Sequence, residues 1–169
     1  DRGCRPAAEP PLAHHELDAG SGYPDGLAGG EIPEDAKLIG MADRYCALVS
    51  ERNYRRSLLP PVALQRLCDG HEAPVGRGLA AHFEAQLGTH PPGTLVRVRS
   101  GELGVVSSRR GRDGFVKVHA LRDRDGGPHA PPQARSTGEP GHAIDAALHE
   151  DEAGLRFSMR QVWGDIASV

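Results

Sequence analysis

Residues 14–24 read HHELDAGSGYP. Two adjacent imidazoles followed by a carboxylate are donor types that suit iron, manganese and zinc. Neighbouring residues can serve one cluster only where the backbone turns. The glycines at 20 and 22 supply such a turn if a helix ends at the histidine pair. The chain has nine histidines, so the pair taken alone equally fits surface residues, and its meaning rests on its surroundings.

Downstream, residues 31–50 (EIPEDAKLIGMADRYCALVS) predict a helix. Pro33 stands at a first helical position, Glu34 and Asp35 favour the positive end of the dipole, and Leu38, Ala42, Tyr45 and Val49 recur at helical spacing. Asp43 falls on the flank of that apolar stripe. A carboxylate there requires a cation or hydrogen-bond donors, so it serves either a metal ion or a pairing with Arg44 or Arg52. Arg52, Arg55 and Arg56 surround Tyr54 as a basic cluster that suits phosphate or simply covers surface. Cys46 reads most simply as a small core residue, and His82 as a packing histidine.

Residues 61–70 and 78–88 predict two further helices, the second with Leu79, Phe83 and Leu87 on one face. The period then changes. TLVRVRS (94–100), GELGVVSS (101–108) and GFVKVHAL (114–121) predict a three-stranded antiparallel meander. Residues 122–141 carry turn and linker chemistry with little apolar content. In the tail, Leu155, Met159, Val162 and Ile166 recur at helical spacing and predict a short docking helix.

At 169 residues the chain holds one core, or one domain with a small appendage. Its 20 basic and 23 acidic residues leave a formal charge of -3, which points away from a nucleic-acid or membrane binder. Cys4, Cys46 and Cys68 are odd in number and lack CxxC spacing, which favours reduced thiols in a cytoplasmic protein. No apolar run approaches the ~20 residues of a membrane span. With 22 glycines, 14 prolines and 4% aromatic residues, the core is expected to be modest.

The stretch HHELDAGSGYPDGLAGGEIPEDAKLIGMADRYCALVSERNYR resembles the second half of an HD-GYP domain, the family of bacterial cyclic di-GMP phosphodiesterases. His14, His15, Glu16, Gly20, Ser21, Gly22, Tyr23, Pro24, Gly26 and Leu27 match the first motif. Ile32, Pro33, Ala42, Asp43, Ala47, Leu48, Arg52, Tyr54 and Arg55 match those that follow. A looser likeness runs on through PPGTLVRVRSGELGVV, a segment similar to one that often follows this domain. The pattern departs at Ala19 and Cys46, where the family usually has aspartates.

The resemblance implies that His14, His15 and Asp43 are metal ligands. It further implies that Arg52 and Arg55 contact the phosphates of cyclic di-GMP, and that Gly20, Ser21, Gly22, Tyr23 and Pro24 form the GYP loop, which is associated with contacts to diguanylate cyclase domains. The implied metal is iron, with manganese as the alternative. The family's HD dyad and other upstream ligands precede the histidine pair, and the thirteen residues before it contain no histidine. The expectation is therefore an incomplete cluster in a truncated domain, inactive in hydrolysis on its own.

The expected architecture is α+β: a lead-in over 1–12, an HD-type helical part over 13–90, a small β-rich appendage over 91–150 and a tail over 151–169. Three functional readings follow. The chain is part of a cyclic di-GMP phosphodiesterase; or it is a non-catalytic module binding the dinucleotide or a protein partner through the GYP loop; or the arginines of the meander bind RNA or anions. The last is the weakest, since Phe115 is the sole aromatic among those charges, and arginines solvated on a small sheet account for them more simply.

Overall fold

The computed structural model describes residues 13–50, 57–68 and 75–164. The lead-in over 1–12, the arginines Arg52, Arg55 and Arg56, the expected helix stop at Gly70 and Ile166 of the tail lie outside the described residues. The described chain is α+β, with helices first and an antiparallel sheet after them. It divides into two compact units, residues 1–58 with 62–85, and residues 59–61 with 86–169.

In the first unit, a 3-10 turn at Gly29–Glu31 leads into helix α1, Glu34–Val49. Pro33 caps the helix from just outside it, and Glu34 and Asp35 occupy the first turn as the sequence predicts. Helices α2, Pro60–Cys68, and α3, Arg77–Leu87, follow. Met41, Leu67, Val75 and Ala80 form one apolar cluster, flanked by Tyr45, Cys68, Leu79 and Phe83. Burial, together with the neighbouring Cys46, pushes the Tyr45 hydroxyl up to about 12. A second, smaller cluster joins Ala13, Ile32 and Ala36.

The buried face of α1 differs from the one its periodicity suggested. Ala36, Gly40, Met41 and Leu48 are buried, whereas Leu38 and Ile39 are 38% and 42% exposed. Ala42, Asp43 and Cys46 are exposed as well, so Cys46 is not a core residue. Helical periodicity identifies an apolar stripe but not what covers it. His82 is also exposed, because only the Leu79, Ala80 and Phe83 side of α3 meets the cluster.

The second unit is a five-stranded antiparallel sheet rather than a three-stranded meander. Its strands are β1 Leu95–Val98, β2 Leu103–Val106, β3 Lys117–Arg122, β4 Pro128–Ser136 and β5 Ile144–Ala147, in the order β4-β3-β2-β1-β5. Residues 122–141, expected to be linker, contain β4. That strand lies at an edge, where Pro128, Pro131 and Pro132 are tolerated because one side needs no ladder partner. Its pairing with β3 shifts register opposite Ala120–Arg122. Val96, Val98, Val106 and Val118 form the core, with Val116 and Ile144 against it.

Side chains from β4 at one edge, and from the turn before β5 at the other, meet at a single carboxylate. Glu102, 8% exposed at the start of β2, receives Arg135 Nη2 at 2.8 Å and His129 Nε2 at 3.2 Å from β4. His142 Nε2 approaches at 3.6 Å from the turn before β5, and Ser100 Oγ donates at 3.0 Å. The Arg135 hydrogen bonds overcome desolvation and hold the Glu102 carboxyl down at about 2. Beyond β5 come two short helices, α4 Glu150–Ala153 and α5 Met159–Trp163. The second is the helix expected of the tail, and its Trp163 indole donates to the Ser107 carbonyl at 2.9 Å.

Candidate functional site

The histidine pair stands at the mouth of a closed loop. Residues 17–29 fold back on themselves, with an antiparallel bridge between Ala19 and Ala28 and a 3.2 Å hydrogen bond from Gly29 N to Asp18 O. Gly20 turns the chain at φ +74°, a conformation that favours glycine. Gly22 lies against the backbone of the histidine segment: a Cβ there would come within 2.4 Å of Glu16 Cα and 2.6 Å of His15 O. The glycines of this motif thus hold the loop flat against its own beginning.

Glu16 braces the loop from within. It is 3% exposed, and its carboxylate accepts backbone N–H groups from Asp25 at 2.7 Å, Gly26 at 3.1 Å and Leu27 at 3.1 Å. Three donors converging on one buried carboxylate make a strong, charge-assisted anchor. Lys37 reaches back from α1 to Asp18 at 2.6 Å, fastening the loop to the helix. The sequence showed the glutamate beside the histidines, but not that its partners lie nine to eleven residues away.

The braced loop presents three rings in contact, the outer two stacked. The His14 and His15 ring centroids are 3.8 Å apart, and Tyr23 stacks on His15 at 4.6 Å with 24° between planes. Tyr23 is 60% exposed, so the stack ends in a phenol open to solvent. Pro24 and Ser21 beside it are exposed too, and the Tyr23–Pro24 peptide is cis.

Asp43 belongs to the neighbouring helix face. Gly40 is buried against the main chain of the first histidine, since a Cβ at 40 would meet His14 O at 2.5 Å. Asp43, three residues on, sits about 60° around the helix from that contact. It lies between the face that touches His14 and the exposed apolar stripe of Leu38, Ile39, Ala42 and Cys46. Even so, among the described residues no three of histidine, cysteine, aspartate and glutamate come together closely enough to hold a metal ion. By themselves these residues do not fit a closed metal centre. Arg52 and Arg55 lie outside the described residues.

Residues 5–73 match the model of a family described as the HD domain. Over 103 residues the chain is 38% identical to a cyclic di-GMP phosphodiesterase of Pseudomonas aeruginosa, covering 60% of this chain and 24% of that protein. It is 46% identical over 56 residues to the cyclic di-GMP phosphodiesterase response regulator RpfG of Xanthomonas campestris pv. campestris, covering 33% and 15% of the two chains. A probable cyclic di-GMP phosphodiesterase of Vibrio cholerae is 37% identical over 78 residues, covering 46% and 16%. The chain thus spans about a quarter or less of the length of these relatives. Phosphodiesterases with HD domains generally depend on divalent metals. No helix among the described residues is long and apolar enough to cross a membrane.

Proposed function

Because the chain belongs, through residues 5–73, to the HD-domain family in its HD-GYP form, we propose that it is part of a metal-dependent phosphodiesterase that hydrolyses cyclic di-GMP. His14, His15 and Asp43 are its share of the metal donors, for iron or manganese, and Arg52 and Arg55 meet the phosphates of the dinucleotide. The observation that carries this reading is the join between loop and helix. Gly40 packs on the His14 carbonyl, so the helix that carries Asp43 rests against the histidine segment, which supports this reading.

The remaining donors come, in this reading, from polypeptide beyond the described residues. The apolar stripe of α1 supports that: Leu38, Ile39, Ala42 and Cys46 stand exposed beside Asp43, as a helix face does when a further element packs on it. The polypeptide of residues 1–169 alone is inactive in this proposal, since three donors leave a metal site open and catalysis of this kind needs preorganised charge. The odd, unspaced cysteines favour a cytoplasmic setting.

The test is to titrate the purified 169-residue chain with Fe(II) and Mn(II) anaerobically and to assay cyclic di-GMP hydrolysis in the same samples. Weak uptake of metal, reduced in His14→Ala and in Asp43→Ala, with no turnover, is the expected result. Turnover by this chain alone would overturn the incomplete-site reading. Metal uptake unchanged in both variants would overturn the ligand assignment.

A second reading is favoured by the exposure of Tyr23 on a loop braced at both ends. A rigid, open aromatic at a loop tip is a suitable anchor for a base or for a partner protein. In this reading the GYP loop binds the dinucleotide, or a protein such as a diguanylate cyclase domain, without hydrolysis. Binding of cyclic di-GMP that survives Asp43→Ala and is lost in Tyr23→Ala would favour it.

A further inference from the structure

The second unit contains a cleft of about 260 Å³, lined by Thr89, His90, Arg110, Phe115, Thr137 and Ile144 among others. We infer that this cleft binds a nucleoside monophosphate, its ring against Phe115 and its phosphate on Arg110. The inference does not rest on the reading of the histidine loop.

Phe115 supplies a prepared ring surface. Its ring lies against the backbone of Gly138, where an added Cβ would come within 2.7 Å of the ring, yet the residue is 45% exposed. A large apolar side chain held in place and left open is a ready platform for a planar ligand. Val116 and Ile144 beside it extend the apolar floor.

Arg110 supplies the charge. Its Nε donates to the Gly114 carbonyl at 2.5 Å, which fixes the guanidinium and leaves its terminal nitrogens for another acceptor. Among the described residues no carboxylate pairs with it. Asp113, the one acid between residues 107 and 117, spends its Oδ1 on the Phe115 N–H at 3.1 Å. Arg109 and Arg112 flank the site, exposed, and add to the local positive potential.

Hydroxyl and imidazole groups complete the lining. Thr137 Oγ1 accepts from Val116 N at 3.0 Å, so its own proton is available to a ligand. Burial pushes His90 below the ordinary imidazole value, so at neutral pH it meets the cleft as a hydrogen-bonding group rather than a second charge.

Size selects the class of ligand. The volume lies just under the range of about 300–1,000 Å³ usual for drug-sized ligands, room for one ring system with one anionic group. A polynucleotide would need further aromatic platforms in succession, and none accompanies Phe115 between residues 107 and 117.

The chain's single tryptophan makes the test direct. The Trp163 indole N–H is bonded to Ser107, at the root of the arginine loop, and gives one distinct resonance. The 15N-labelled full chain would be titrated with adenosine monophosphate, guanosine monophosphate, adenosine alone, inorganic phosphate alone and a short oligoribonucleotide series, following the Trp163 indole and the Arg110 Nε signals. A saturating shift with a monophosphate is expected, with about fivefold or more weaker binding in Arg110→Ala and in Phe115→Ala and for either half-ligand. No saturable shift in the wild-type chain would overturn the inference. So would equal binding of phosphate alone, equal binding by Arg110→Ala, or affinity that rises steadily with oligonucleotide length.

Discussion

Replacing Glu16 by glutamine exchanges one acceptor oxygen for a donor in a buried space that already holds three backbone donors. At least one N–H of residues 25–27 then loses its acceptor, at a cost of about 1–3 kcal/mol. The expected outcome is a lower urea midpoint, together with faster amide exchange confined at first to residues 25–27. Gly40→Ala acts from the other side of the same join. Its new methyl group would sit 2.5 Å from the His14 carbonyl oxygen, and relief by backbone shift costs about 1–3 kcal/mol. Its signature is a displaced His14 imidazole resonance together with reduced stability. The histidines and Asp43 were legible as candidate donors because residue type and a family pattern announce them. Glu16 as the brace was not, since its acceptors' partners are peptide groups that no side-chain motif encodes.

Among the elements, helix α1 was readable from Pro33, Glu34 and Asp35, strands β1 and β3 from their alternation, and β2 from the turn at Ser100–Gly101 that precedes it. Strand β4 was not, for a physical reason: alternation marks a strand with one buried face, and β4 is half-buried at best along its length. What fixes β4 is the ladder to β3 and the attachment of Arg135 and His129 to Glu102. Glu102→Gln should therefore loosen both sheet edges, lowering stability by roughly 2–4 kcal/mol, with exchange of the β4 amides rising most. Acid has a related effect. The folded carboxyl is depressed, so its contribution is complete above the ordinary range near 4.5 and is lost as pH falls toward about 2. In Glu102→Gln the stability should fall less steeply over that interval, as measured by denaturation at stepped pH.

At the scale of the whole chain, residues 86–169 carry all five strands and their own valine core. Expressed alone, they should unfold cooperatively, by circular dichroism and tryptophan fluorescence together. Non-coincident transitions would contradict that expectation. The two apolar clusters among the described residues of the helical unit are each small, so residues 1–85, followed by circular dichroism alone, should give a lower midpoint. A sheet edge with unpaired peptide groups recruits strands from other molecules, whereas Pro128, Pro131 and Pro132 bring no N–H to offer and interrupt the regular ladder. The chain should accordingly resist fibril growth from that side even when concentrated. Pro131→Thr with Pro132→Thr should shorten the lag before thioflavin-positive aggregates form.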